Sequence, residues 1–415
     1  MSAVTLALVG AGLRGQAYAR HSLVNGTGRV VALAEPDRQR RETVAAEFDV
    51  PAANVFESWS DLAAVSRLAD AAIIATQDRL HTDPAVHLAD LGYHILLEKP
   101  MATSDADASR IADAADRNKI MLAVCHVLRY TPYTRTVKAM LDAGRIGRLI
   151  SVQHFEPVGW WHHAHSFVRG HWNRDDTSAP MLLTKSCHDI DWLIHLFGQP
   201  PARVSSFGNL THFRPSERPA EAADRCLDCP LEPSCPYSAK RLYLDCLADP
   251  ERHTWPLGAV TDGRTEGDVL SALRTGPYGR CVYACDNNVV DNQVVNMEFP
   301  DGATCSFTMS AFTPMEHRRT RIQGTHGYLD GDGRTLRVVD FHTGAEEMID
   351  TLTADGPSAG DGHGGGDEAL TAAFLAAVAS NNPDLLLSDA STSLATHRVV
   401  WAAERARTTG TVVRL

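Results

Sequence analysis

Val4-Thr-Leu-Ala-Leu-Val-Gly10-Ala-Gly12-Leu-Arg-Gly15 decides the fold. The apolar run Thr5–Val9 predicts a buried strand, and the three spaced glycines follow it directly and open a helical stretch near Gln16–Val24. Glycines alone at this spacing are weak evidence, but placement between a strand and a helix gives each one a task. The first permits a tight turn, the second lets the backbone approach a pyrophosphate, and the third lets the helix pack on the strand. The helix N-terminus then presents its free N–H groups to the phosphates. Glu35 ends the next strand candidate, Arg29–Ala34, twenty residues after Gly15. A carboxylate there accepts hydrogen bonds from ribose hydroxyls and repels a 2′-phosphate, so the expected cofactor is NAD over NADP. Arg38, Arg40 and Arg41 nearby weaken that preference slightly.

Outward from this motif the first 125 residues alternate apolar runs with helical patterns. Further strands are expected at Ala71–Ala75, His94–Leu97 and Met121–Cys125, with helices at Arg38–Phe48, Pro84–Leu91 and Asp105–Asn118. Alternation at this spacing predicts a doubly wound parallel sheet with helices on both faces. The rhythm changes after about residue 130. A helix at Tyr133–Ala143 leads to alternating strands at Leu149–Phe155, Val289–Phe299, Ala303–Ala311, Arg319–Gly324 and Thr335–Phe341, with helices at Thr184–Phe197, Asp367–Ser380 and Ser391–Ala406. The expected fold class is therefore α/β: a Rossmann domain over 1–127 and a second α/β domain over 128–415. Residues 215–285 are rich in Pro and Cys and read as an insert. The Gly-rich tract Gly360–Gly366 reads as a linker or a ligand-touching loop.

Composition sets the outer bounds. The 415 residues suit two or three domains at roughly 150 residues each. Lys plus Arg number 39 against 51 Asp plus Glu, a net charge of −12, which argues against nucleic-acid binding over the whole surface. No apolar window reaches the roughly 18 residues of a membrane span. The N-terminal apolar run lacks a basic lead-in, so a cytoplasmic location is expected. In that compartment nine cysteines point to free thiols or a metal site before disulfides.

The fourth strand candidate, His94–Leu97, runs into Glu98-Lys99-Pro100, at the strand end where open α/β sheets bind ligands. A lysine there sits beside a cationic nicotinamide, whose repulsion moves it toward proton-transfer range. A lysine that merely follows a strand is the bland alternative. With Gly10-Ala-Gly12-Leu-Arg-Gly15, Thr76-Gln-Asp78-Arg-Leu-His81, His126-Val-Leu-Arg129-Tyr130-Thr-Pro132, Gly144-Arg-Ile-Gly147 and His188-Asp189-Ile-Asp191, the chain resembles the Gfo/Idh/MocA family of NAD(P)-dependent oxidoreductases. The resemblance implies a second domain whose large, open, mainly antiparallel sheet forms a homodimer or homotetramer interface. It also implies a catalytic Lys99 and a cofactor held by Gly10, Gly12, Leu13, Arg14, Gly15, Glu35, Thr76, Asp78, His81, Glu98 and Lys99. The family's acid/base pair is Asp-x-x-x-His; here His188 matches the histidine, but Thr184 stands at the aspartate position and Lys185 follows it. Lys185, and Tyr130 or Asp189 as proton relay, complete the expected catalytic set.

His154, His162, His163, His165 and His171 crowd into 18 residues with Trp160, Trp161, Trp172, Arg169 and Arg174. Aromatic faces and cationic donors suit a sugar bearing an anionic group, so Trp161, His165, Arg169, Trp172, Lys185 and His188 are the expected substrate residues. A solvated loop and a histidine metal site are the alternatives. Cys226-x2-Cys229-x5-Cys235, with Cys281 or Cys285 as fourth ligand, predicts a structural zinc. The expected reaction is NAD-dependent oxidation of a ring hydroxyl, at C3. The alternative is a redox-neutral glycoside hydrolase working by oxidation, elimination, hydration and reduction, similar in this to family relatives that act on sulfoquinovosides.

Overall fold

The computed structural model describes residues 3–352 and 364–415. Six parallel strands form the first sheet: β1 (Val4–Val9), β2 (Gly28–Ala34), β3 (Val55–Phe56), β4 (Ala71–Ile74), β5 (His94–Leu97) and β6 (Leu122–Val124). Their order, β3-β2-β1-β4-β5-β6, reverses direction between β1 and β4, and ligands of such sheets bind beyond the strand ends at that switch. All residues of β4 are buried, as expected of a strand covered on both faces.

The second sheet has nine strands: β7 (Leu149–Pro157), β8 (Arg203–Asn209), β9 (Asn292–Glu298), β10 (Thr304–Ser310), β11 (Arg319–Gly324), β12 (Gly327–Gly331), β13 (Thr335–Asp340), β14 (Glu346–Asp350) and β15 (Val413–Arg414). Their order is β14-β13-β12-β11-β7-β10-β9-β8-β15; β7 pairs parallel with β10, and the other ladders are antiparallel. Strict in–out alternation along β9 and β10 packs Val295, Met297, Phe307 and Met309 against the helix Cys187–Phe197. Strands β3, β8, β12, β14 and β15 were not expected from the sequence.

The helix Gly366–Ser380 lies late in the chain yet packs on the first sheet. Its Leu370, Phe374 and Leu375 share a core with Leu6, Tyr18 and Leu33. Within the insert two helices, Ala239–Leu247 and Glu266–Thr275, close a small core of Tyr243, Cys246, Leu257, Val269 and Leu273. Most of Gly360–Gly366 lies outside the described residues. Among the described residues no helix is long and apolar enough to cross a membrane.

Candidate active site

The glycine motif is built as the sequence requires. Gly10 has φ +85°, and a Cβ there would lie 2.7 Å from the Ala75 carbonyl oxygen. At Gly15 a Cβ would lie 2.1 Å from the Gly10 carbonyl oxygen. Gly12, the N-cap of the helix Leu13–Leu23, meets no atom within 4 Å on its Cβ side, which leaves a phosphate-sized approach to the helix N-terminus. Glu35 Oε2 accepts the Ala11 N–H at 2.8 Å and Oε1 accepts the Asp37 N–H at 3.0 Å, so this buried carboxylate also holds the loop's shape. Arg40 reaches Oε1 at 3.3 Å. These features fit a dinucleotide.

The other expected cofactor residues frame the same crevice. Leu13 is exposed. Arg14 Nε donates to Glu98 Oε1 at 2.7 Å and its guanidinium pairs with Asp367. His81 bridges the Pro100 and Thr76 carbonyls at 2.8 and 3.1 Å, and Thr76 Oγ1 donates to Leu80. Asp78 Oδ2 accepts the Trp172 indole N–H at 3.0 Å, which ties the histidine-rich stretch to the first sheet's edge.

The helix expected at Thr184–Phe197 is broken. It runs as Met181–Thr184 and Cys187–Phe197, with Lys185 and Ser186 between. Lys99 Nζ, coming from the end of β5, donates to the Thr184 carbonyl at this break, at 2.7 Å. The Lys99–Pro100 peptide is cis. Lys185 Nζ lies 3.1 Å from Glu156 Oε1, and Glu156 Oε2 lies 3.0 Å from Arg318 Nε. Arg318 also pairs with Asp189, and its Nη2 lies 3.0 Å from His188 Nε2. Asp189 is buried, which alone would raise its carboxyl; the Arg318 guanidinium and a hydrogen bond from His154 instead hold it well below the usual carboxylate range. The structure therefore brings Lys99, Lys185 and His188 together. Two partners that sequence reasoning missed, Glu156 and Arg318, join them.

Other expected residues are placed elsewhere. The Tyr130 hydroxyl accepts the Leu387 N–H at 2.8 Å and pairs with Ser388 Oγ, behind the first sheet's last strand. His165 pairs with the Tyr243 hydroxyl at 2.7 Å and stacks on Tyr278. Arg169 donates to the Arg280 and Tyr237 carbonyls, and Trp161 packs on Trp255. These residues anchor the insert to the second domain. Burial pushes His163 down to about 4 and His165 to about 3, so the stretch carries far less charge than its composition implied.

The zinc expectation is corrected. Among the described residues no three His, Cys, Asp or Glu side chains are arranged to hold a metal ion. Cys226, Cys229, Cys235 and Cys281 do line one cavity, but the Arg169 guanidinium lies against Cys226 Sγ at 3.5 Å, a fixed cation beside one of the expected ligands. The Cys285 thiol donates to the Cys281 carbonyl, and burial raises it to about 11. In this arrangement the Cys285 thiol is engaged by a carbonyl, whereas a metal takes the thiolate.

A parallel sheet with this glycine turn, Glu35 and a strand-end lysine defines an NAD-binding oxidoreductase fold with a second α/β domain. Two family models match: the NAD-binding Rossmann fold of an oxidoreductase family over residues 4–126, and its C-terminal α/β domain over 138–415. The chain belongs to the Gfo/Idh/MocA oxidoreductase family, and it is an enzyme of that family. It is similar to the oxidoreductase YteT of Bacillus subtilis (strain 168), 25% identical over 76% of this chain and 73% of that protein. It is also similar to the 2,7-anhydro-N-acetylneuraminate hydratase of Escherichia coli (strain K12), 25% identical over 51% of this chain and 55% of that one. The levoglucosan dehydrogenase of Pseudarthrobacter phenanthrenivorans is 27% identical over 48% and 52%. The chain thus spans about half the length of the latter two. A levoglucosan dehydrogenase structure with NADH and levoglucosan superposes over 99% of both chains, with a TM-score of 0.71 at 16% identity, and shares the fold.

Proposed function

We propose that this enzyme oxidises a ring hydroxyl, at C3, of a sugar or glycoside bearing an anionic group, using NAD. One observation carries the reading: Lys99 Nζ rests on the Thr184 carbonyl at the helix break, so the lysine beyond β5 meets the segment holding Lys185 and His188. When bound, NAD supplies the hydride acceptor; the glycine loop, Glu35 and the helix N-terminus would hold it. The protein's own task is to place the hydroxyl and take its proton, and we assign that role to the segment that joins Lys99 and His188. Lys185 and Arg318 bring cationic N–H donors to the site beside Glu156 and Asp189, and such donors suit the oxygens of an acidic substrate. Relatives named as a sugar dehydrogenase and an anhydro-sugar hydratase support a carbohydrate. The division into domains at about residue 127, a cytoplasmic location, and a homodimer or homotetramer through the open face of the second sheet belong to the same reading.

A second reading has a specific observation behind it. Lys185 is an additional base within the cluster, and one relative is named as a hydratase, an activity without net oxidation. Oxidation at C3 acidifies the C2 proton; elimination expels the aglycone, water adds, and the ketone is reduced. Turnover of acidic sugars and glycosides in D2O with NAD separates the readings. Accumulating NADH with no deuterium at C2 supports dehydrogenation. A C2-deuterated hydrolysis product with no net NADH supports the hydrolase. Lys99→Ala turning over at the wild-type rate would sink both.

A further inference from the structure

The contact between Arg318 and His188 constrains which group takes the proton. A guanidinium carries only donors, so at 3.0 Å from Arg318 Nη2 the His188 Nε2 must accept. A neutral imidazole that accepts at one nitrogen carries its proton on the other. Arg318 is held in place on other sides: Nε reaches Glu156 Oε2 at 3.0 Å and pairs with Asp189 Oδ1, and Nη2 lies 3.4 Å from Asp189 Oδ2. The cross-strand register explains its aim. Arg319 pairs with Phe155, so the next pair outward is Arg318 with Glu156, and both point to the buried side of the sheet that also carries His154.

Arg318 from the approach to β11 and Asp189 from its own helix (3.9 Å from Nε2) meet His188; Glu156 from β7 pairs with Arg318 and Lys185, His154 from β7 pairs with Asp189, and Lys99 from the end of β5 ends on the Thr184 carbonyl at the helix break. Lys185 is paired with Glu156, and losing its proton would break that pair. Lys99 rests on a neutral carbonyl instead.

We propose that Arg318 is a positioning residue that locks His188 as the neutral, Nδ1-protonated tautomer, so that the substrate's hydroxyl proton passes to Lys99 and His188 serves as a hydrogen-bond donor. Glu156, reaching the cluster from β7, supplies the carboxylate that Thr184 does not. In the step, Lys99 acts as the neutral amine, which still donates an N–H to the Thr184 carbonyl: the substrate O–H bond breaks as a new N–H bond forms at Nζ, and NAD, when bound, would supply the hydride acceptor. The inference rests on the reading that this cluster handles the hydroxyl proton, but the tautomer is measurable without turnover.

Long-range 1H–15N correlation on the 15N-histidine-labelled holoenzyme, with His188 assigned by difference against His188→Gln, reads the ring nitrogens directly. The expected result is an unprotonated Nε2 and a protonated Nδ1 from pH 8 to 5.5. A protonated Nε2, or titration of His188 across that range, overturns the inference whatever the substrate proves to be. In kinetics, Arg318→Gln keeps an N–H donor and should retain the wild-type shape of the kcat/KM profile. Arg318→Met should add a limb where an imidazole titrates, near about 6.5. Identical profiles for the two variants would refute the lock; if Arg318→Met does not fold, the wild-type spectrum decides. Lys99→Ala should lower kcat about 10²–10⁴-fold and His188→Gln less than about tenfold, and the reverse order would assign the proton to the histidine.

Discussion

Replacing Glu35 by Ser should move nucleotide preference toward NADP by a predictable amount. Glu35 is buried, and Arg40 leans on it at 3.3 Å with its own side chain half exposed. In the wild type a 2′-phosphate would meet the carboxylate at close range. Two like charges about 4 Å apart interact by about 4 kcal/mol at an effective dielectric of 20. Solvent near Arg40 and screening at physiological salt reduce this to about 2 kcal/mol. Glu35→Ser removes the repulsion and frees Arg40 to pair with the phosphate, so the ratio of NADP to NAD affinity should rise about 30-fold or more. Affinity for NAD itself should fall as well. The Ala11 and Asp37 N–H groups lose their acceptor, and each orphaned buried donor costs about 1–3 kcal/mol unless the shorter hydroxyl or water replaces it. Isothermal titration of both nucleotides against wild type and variant measures the ratio. A change of less than about threefold would show that Glu35 only shapes the loop and does not read the ribose.

Two further predictions concern stability. Arg129 and Asp191 form a buried bidentate pair, at 2.6 and 2.7 Å, between the end of the first domain and the helix Cys187–Phe197; Asp191→Ala strands the guanidinium and should cost about 3–5 kcal/mol in urea unfolding, with the Arg129→Met, Asp191→Ala double variant closer to wild type. A single-variant loss below about 1 kcal/mol would contradict this. Acid should weaken the fold well above the carboxylate range. Burial lowers His126 and His163 to about 4 and His165 to about 3, so below about 6.5 the unfolded chain binds protons that the folded chain refuses. Stability is then complete above about pH 6.5 and falls as pH drops toward 4, each histidine adding up to about 1.4 kcal/mol per pH unit. Neither His163 ring nitrogen has a hydrogen-bond partner among the described residues, so His163→Phe should flatten the slope between pH 6 and 5 by close to one proton; an unchanged slope refutes the assignment.

The first domain was legible because its signals are local. Apart from β3 and the short helix Trp59–Ala63, the strands and helices of the parallel sheet are marked by their own period, and Gly10, Gly15 and Glu35 act through neighbours that the strand–turn–helix unit itself brings close. Lys99 was legible for the same reason, since the end of β5 is a place the topology fixes. Glu156 and Arg318 were not, because they meet only through the pairing of β7 with β11, and nothing local to either residue states that register. One signal could have found Glu156. Val152, His154 and Glu156 keep a period of two, which puts a carboxylate in the buried phase of its strand, where a charge needs a cationic partner. The histidine run misled in the opposite sense. Composition counts it as basic, whereas charge depends on solvation: once the chain coils through 160–169 and buries His163 and His165, they are neutral, and the cationic donors of the cluster are Lys185 and Arg318. An acidic chain can therefore place a guanidinium donor in a buried site without local basic composition, provided two strands distant in sequence deliver it and the carboxylate that holds it.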